Sequence, residues 1–163
     1  MKPTIIAIDP GASGGFAVSE NGQVKLFGMP ATRGDIKSAL ANIRCRAQRE
    51  NVECICVLED IVKFIGGKKT STAGDPIGMP ESSAIVYGQN HGYIEGVLAG
   101  LEIRTDTVYS KRWQKEVGLG TKPKEMKKGE WKNKAKAMAQ RLYPALNGEI
   151  TLKTADALLI LEW

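Results

Sequence analysis

The chain has 163 residues, 42% hydrophobic and 25% charged, with a net charge of +5. That is apolar material for one globular domain over residues 1–163; no apolar run nears the roughly 20 residues a membrane span needs, and Met1-Lys2-Pro3 opens no signal-peptide pattern. Cys45, Cys54 and Cys56 are odd in number and lack a C-x-x-C spacing, which argues against a disulfide framework or a zinc site and makes a reducing cytoplasm the expected location.

Thr4-Ile5-Ile6-Ala7-Ile8-Asp9 is an apolar run ending in a carboxylate. The turn after it, Pro10-Gly11-Ala12-Ser13-Gly14-Gly15, is rich enough in glycine for a charged group to approach the backbone. Gly15–Ser19 and Gln23–Gly28 read as strands joined by Glu20-Asn21-Gly22, because Asn-Gly accepts the positive φ of a tight hairpin. The chain therefore opens with an antiparallel three-stranded meander. Asp35 is expected to cap a helix whose apolar stripe is Ile36, Leu40, Ile43 and Ala47. Cys54-Ile55-Cys56-Val57-Leu58 is a nearly continuous apolar run, as in a strand buried on both faces, and it delivers Glu59 and Asp60 to its end. Pairing parallel to the first strand, it would bring Glu59 to the same sheet edge as Asp9, where open α/β sheets place their ligands.

Residues 63–80 hold glycine, proline and lysine without periodicity and read as a long mobile loop. Phe64 and Ile65 at its root serve either the core or a wedge against an unstacked base. Glu81 to Leu101 is helical, with Gly88, Gly92, Gly96 and Gly100 on one stripe. Each glycine costs a helix about 1 kcal/mol relative to alanine, so another backbone is expected close by, either the chain's own sheet or a second copy across a two-fold axis. His91, with no second His or Cys near it, reads as structural or solvent-facing. Glu102–Val108 is a further strand with Ile103, Thr105 and Thr107 on one face.

The segment Ser110 to Arg141 carries a net charge of +8 and the remainder −3. It comprises a short basic helix with Trp113, a loose lysine-rich linker over 118–129, and a helix from Glu130 to Tyr143. In that last helix Trp131, Ala135, Met138 and Leu142 face inward, while Lys132, Lys136 and Gln140 face out. Such a stretch is either a solvated helical face or a surface for phosphates, and the tryptophans and flexible linker favour phosphate contacts. The candidate DNA contacts are Lys63, Phe64, Lys68, Lys69, Lys111, Arg112, Lys115, Lys122, Lys124, Lys127, Lys128 and Lys132. Asp156, a third acid, opens the apolar helix that closes the chain. It is either a helix-start residue favoured by the dipole or a partner of Asp9 and Glu59. Carboxylates from distant parts of the chain, with no serine or histidine triad beside them, suit a hard divalent cation acting on a phosphodiester.

Ile8-Asp9-Pro10-Gly11 with Gly14-Gly15, then Leu58-Glu59, then Ala155-Asp156-Ala157-Leu158 resemble the acidic motifs of the RuvC-type Holliday junction resolvases. The segment from Tyr109 through Trp113-Gln114-Lys115 is similar to that of phage and organellar relatives. The resemblance implies an α/β, ribonuclease H-like fold: a mixed five-stranded sheet, its antiparallel meander followed by two parallel strands, flanked by helices. It implies a homodimer that binds four-way or branched DNA and nicks two strands symmetrically, in the cytoplasm of a bacterial or phage-infected cell or in an organelle. It also implies two Mg²⁺ ions, replaceable by Mn²⁺, on Asp9, Glu59 and Asp156. The family's fourth acid, one helical turn before the last Asp, is replaced here by Lys153. Either Asp60 or another acid completes the site, or Lys153 supplies part of the positive charge and orients water or the scissile phosphate, or the protein binds junctions and cuts poorly; the second is preferred. Lys134 is a further catalytic candidate by similarity to family lysines. The rival functions are a non-catalytic branched-DNA-binding module and a fragment of an actin-like or sugar-kinase ATPase, whose phosphate loop also follows a first strand.

Overall fold

The computed structural model describes residues 2–60, 69–70, 76–77 and 81–163. Its strands are β1 (Thr4–Asp9), β2 (Gly15–Glu20), β3 (Gln23–Gly28), β4 (Cys54–Asp60), the two-residue β5 (Lys69–Thr70) and β6 (Pro76–Ile77), and β7 (Arg104–Tyr109). Its α-helices are α1 (Arg33–Arg49), α2 (Glu81–Gly100), α3 (Ser110–Glu116), α4 (Lys128–Leu142) and α5 (Ala155–Glu162). The main sheet runs β3-β2-β1-β4-β7. Its β1-β2-β3 part is the antiparallel meander anticipated above, and Asn21 and Gly22 take the positive φ values, 52° and 78°, that its hairpin requires. β4 and β7 add parallel to β1. Within 63–80, β5 pairs antiparallel with β6, Lys69 opposite Ile77; Lys63, Phe64, Ile65 and Lys68 lie outside the described residues.

Strand alternation sorts the core into two layers. On one face Ile6, Ile8, Phe16 and Val18 meet Ile36, Leu40 and Ile43 of α1 and Ile94 and Leu98 of α2. The other face is built from smaller residues: Ala7 and Ala17, direct cross-strand partners, share a cluster with Ala155, Ala157, Leu158 and Leu159 of α5 and with Trp131, Ala135 and Ala139 of α4. A sheet surface of alanines lets α5 lie close across β1 and β2, which carries the start of α5 to the sheet edge that holds Asp9.

Several local expectations are corrected. The cap of α1 is Thr32, whose hydroxyl oxygen accepts the Asp35 N–H at 3.1 Å; Asp35 sits three residues further on, and its carboxylate accepts the Thr32 hydroxyl at 2.7 Å. β7 begins at Arg104 rather than Glu102, which takes a left-handed conformation at φ 53° ahead of the strand. In α4 Trp131, Ala135 and Met138 face the core as expected and Ala139 is buried with them, whereas Leu142 is 39% exposed near the helix end. The linker over 118–129 is anchored by Leu119, which is buried in the α4–α5 layer. A Cβ built on Gly88, Gly92, Gly96 or Gly100 meets nothing within 4 Å among the described residues, so the stripe does not serve close packing on the chain's own sheet. Ile85 and Val86, in the second turn of the same helix, are exposed as well. Among the described residues no helix is long and apolar enough to cross a membrane.

Candidate active site

The parallel register between β1 and β4 pairs Ile8 with Leu58, so Asp9 and Glu59 come next to one another on strands about 4.8 Å apart. By alternation both point to the α4–α5 face. Glu59 is 8% exposed and Asp9 7%.

The turn after β1 folds back on Asp9. The Gly11 N–H donates to Asp9 Oδ1 at 3.0 Å, which leaves Oδ2 for other partners. A Cβ on Gly14 would stand 2.2 Å from the Asp9 carbonyl oxygen and 2.6 Å from its carboxyl carbon. One on Gly15 would meet the Phe27 and Lys153 carbonyls at 2.7 and 2.9 Å. The glycine pair therefore lets the turn close over the carboxylate and lets the segment before α5 lie across β2.

Asp156 stands in the first turn of α5. Between it and Asp9 lies the ammonium of Lys132, at 2.5 Å from Asp156 Oδ2 and 3.7 Å from Asp9 Oδ2. Glu59 is held from the other side: its Oε1 accepts the Ser110 hydroxyl at 2.7 Å and the Trp113 indole N–H at 2.9 Å. Trp113 is fully buried, so its role is to fix a carboxylate rather than to meet a base. Tyr87 of α2 closes the remaining side, with a ring carbon 3.9 Å from where a Gly11 Cβ would be.

The electrostatics follow from crowding anions in a dry pocket. Burial first, then the Asp9 charge, pushes Glu59 up to about 7 against the opposing pull of Ser110 and Trp113. Burial also raises Asp9, with Lys132 and the Gly11 N–H pulling it down and Asp156 pushing it up. For Lys132 burial favours the neutral amine, but Asp156, Asp9 and Glu59 outweigh it and the net shift is upward. The Tyr87 hydroxyl is raised by burial and then by Glu59, Asp9 and Asp60.

The other sequence candidates fall elsewhere. Asp60, next to Glu59, projects to the opposite face, where its Oδ1 is 3.9 Å from His91 Nε2. His91 is buried, with its Nδ1 3.3 Å from Glu95, and its Nε2 has no hydrogen-bond partner among the described residues. Lys153 is exposed and lays its side chain beside Gly28. The Lys134 ammonium donates to the Leu119 carbonyl at 2.9 Å and lies 5.1 Å from the Trp131 ring centre. Lys132, expected to project into solvent, is instead the lysine among the acids. Lys111, Arg112, Lys115, Lys122, Lys124, Lys127 and Lys128 are exposed, and Arg112 also pairs with Glu116 and stacks on Trp163. Sequence reasoning passed over Ser110 and Tyr87, and named Trp113 without its bond to Glu59. The signal for Ser110 was available: it directly follows Tyr109, which pairs with Asp60 at the same sheet edge.

The donor set is all oxygen, as a hard divalent cation prefers. Three carboxylates and one ammonium leave a formal charge of −2 when all are ionised, which one such cation balances. As the side chains stand, no three acidic, His or Cys residues among those described are grouped to hold an ion; the ammonium takes the central place between Asp9 and Asp156.

The sheet order and the helices on both faces define an α/β fold of the ribonuclease H-like type. The chain is similar to T. thermophilus RuvC in complex with Holliday junction substrate, with a TM-score of 0.56 and 14% identity, covering 98% of this chain and 90% of that one. It is also similar to a second Thermus thermophilus RuvC structure, with a TM-score of 0.51 and 15% identity, covering 96% and 90%. At that identity the likeness establishes the RuvC fold. No protein-family model matches the sequence, and no curated protein does.

Proposed function

We propose that this protein is a divalent-cation-dependent endonuclease that resolves four-way DNA junctions by paired nicks as a homodimer. The observation that carries the reading is the convergence of Asp9, Glu59 and Asp156 on one sheet edge, around a single ammonium, in a fold shared with RuvC. Mg²⁺ or Mn²⁺ held by these three carboxylates would supply Lewis-acid stabilisation of the phosphodiester and of its attacking water. The chain's own groups do the positioning. The Gly11 N–H turns Asp9 so that Oδ2 faces the pocket, and Ser110 with Trp113 immobilises one Glu59 oxygen and leaves the other free. Lys132 supplies positive charge at the place where a scissile phosphate would have to arrive.

The basic α3, the linker after it and the start of α4 present exposed lysines suited to the phosphate backbone, whose contacts give affinity without reading sequence. The glycine face of α2, which no described residue packs against closely, with Ile85 and Val86 exposed on the same helix, suits a second copy of the same helix approaching at backbone distance, which would give two sites for two nicks. A junction-binding protein that does not cut is the second reading, favoured by the ammonium already lodged between Asp9 and Asp156.

The deciding experiment incubates the chain with a labelled four-way junction and Mg²⁺, beside a linear duplex of the same sequence. Symmetric nicking of the junction alone is expected. Asp9→Asn should lower cleavage by more than about 100-fold, the scale for losing a group that organises transition-state charge, and leave junction binding within a few-fold. Undiminished cutting by Asp9→Asn would remove Asp9 from the reaction, and binding without any cutting by the unaltered chain would favour the second reading.

A further inference from the structure

Lys132 stands one position after the buried Trp131, at the margin of the α4 face that meets the sheet. Its side chain is 22% exposed, and the two carboxylates it touches are 14% and 9% exposed. Two carboxylates brought together in so dry a place repel unless a cation lies between them. The ammonium meets that need with the same Oδ2 atom of each acid that faces the pocket.

We infer that Lys132 is a resident counter-cation: in the metal-free protein it holds Asp9 and Asp156 together, and a divalent ion enters only by displacing it. This rests on the reading of the three acids as metal ligands. The ammonium occupies the space between the two acids and neutralises them there. A Mg²⁺ ion draws its oxygens in to about 2.0–2.1 Å, so it competes with the ammonium, 2.5 Å from Asp156 and 3.7 Å from Asp9, for the negative charge of the same Oδ2 atoms. It would also meet a like charge at close range. Loading and lysine departure are therefore one exchange. The fold then closes without metal, and metal affinity is lower than the carboxylates alone would give. Once displaced, the ammonium stays tethered by its four-carbon stem at the mouth of the pocket, free to meet an incoming phosphate.

The test uses the full chain and no DNA. Calorimetric titration with Mn²⁺ and Mg²⁺ compares the unaltered protein with Lys132→Met, which keeps the apolar stem. The variant should bind either ion about tenfold more tightly or better, and its melting temperature should be lower than that of the unaltered protein in EDTA and rise more on adding metal. Should the variant fold poorly without metal, a second measurement needs only the unaltered chain: the rate at which Lys132 is acetylated by an activated ester, read by peptide mass spectrometry. That rate should be slow in EDTA and increase several-fold in saturating Mg²⁺, while exposed lysines such as Lys111 and Lys124 keep their rates. Equal or weaker metal binding by Lys132→Met, or a Lys132 acetylation rate that metal leaves unchanged or lowers, overturns the inference while the metal-nuclease reading stands. Failure of both proteins to bind Mn²⁺ or Mg²⁺ overturns both.

Discussion

The two faces of the sheet are built to different ends. The α1–α2 face is packed with large aliphatic and aromatic side chains, among them Ile6, Ile8, Phe16, Leu40 and Leu98. The α4–α5 face sets Ala7 and Ala17 against Ala155 and Ala157, and it carries the carboxylates. Apolar burial stabilises in proportion to area, about 25 cal/mol per Å², so the first face contributes more for each residue. Small residues on the second face give up some of that area in return for a short distance between α5 and β1. Stability and site geometry are thus divided between opposite sides of one sheet.

Substitutions can break that division or sharpen it. The largest effect on stability is expected from Leu40→Ala, which empties a fully buried position on the α1–α2 face and should cost about 2–5 kcal/mol. Denaturant unfolding measures the loss, and junction cleavage per folded molecule should stay near that of the unaltered chain. A parallel collapse of cleavage would show that the first face also positions the site.

Next is a pH effect confined to the second face. Glu59 in the metal-free protein titrates near 7 instead of its ordinary 4.5. Between those values the folded chain binds more protons than the unfolded one, so stability falls as pH rises from 4.5 to 7 and levels off above. A proton held by the folded chain alone changes stability by about 1.4 kcal/mol for every step of one in pH, so the loss across the window is on the order of 3 kcal/mol. The raised Asp9 acts in the same direction. Unfolding curves in EDTA across this window should show the slope, and Glu59→Gln should flatten most of it. An unchanged slope in that variant would assign the effect to other groups.

The smallest effect on stability should come from Ala7→Leu, which overpacks the alanine layer and costs about 1–3 kcal/mol. Its effect on cleavage should be the larger one, because lifting α5 moves Asp156 away from Asp9. Cleavage that survives in a stably folded Ala7→Leu protein would mean that the close approach of α5 is not what sets the site.

The same division decides what could be read from the sequence. The strand order and the meeting of Asp9 with Glu59 were legible because two apolar runs each end in an acid, and parallel pairing forces those ends together. The α1 stripe was legible from its period, whereas its start was not: Thr32 and Asp35 both favour caps, and only the backbone shows which one lies outside the helix. Lys132 was hidden by its position at the edge of a polar stripe. Helix residues step by about 100°, so a small rotation decides whether such a side chain faces solvent or sheet, and the rotation is set by Trp131 and Ala135 packing on α5. Trp113 misled for a related reason. A tryptophan among lysines favours a reading of phosphate contacts, yet its indole N–H serves the buried carboxylate of Glu59. The glycine row on α2 announced a close neighbour without saying whose, and none of the described residues comes within 4 Å of a Cβ built there.

Glu59 and Asp60 are adjacent in sequence and serve opposite sides of the sheet. One faces Asp9 and the pocket beside α5; the other faces His91, which reaches Glu95 one turn further along α2. A single peptide bond therefore separates a carboxylate committed to the Ser110 and Trp113 side of the sheet from one committed to α2, so neighbours in sequence report on opposite layers of the fold.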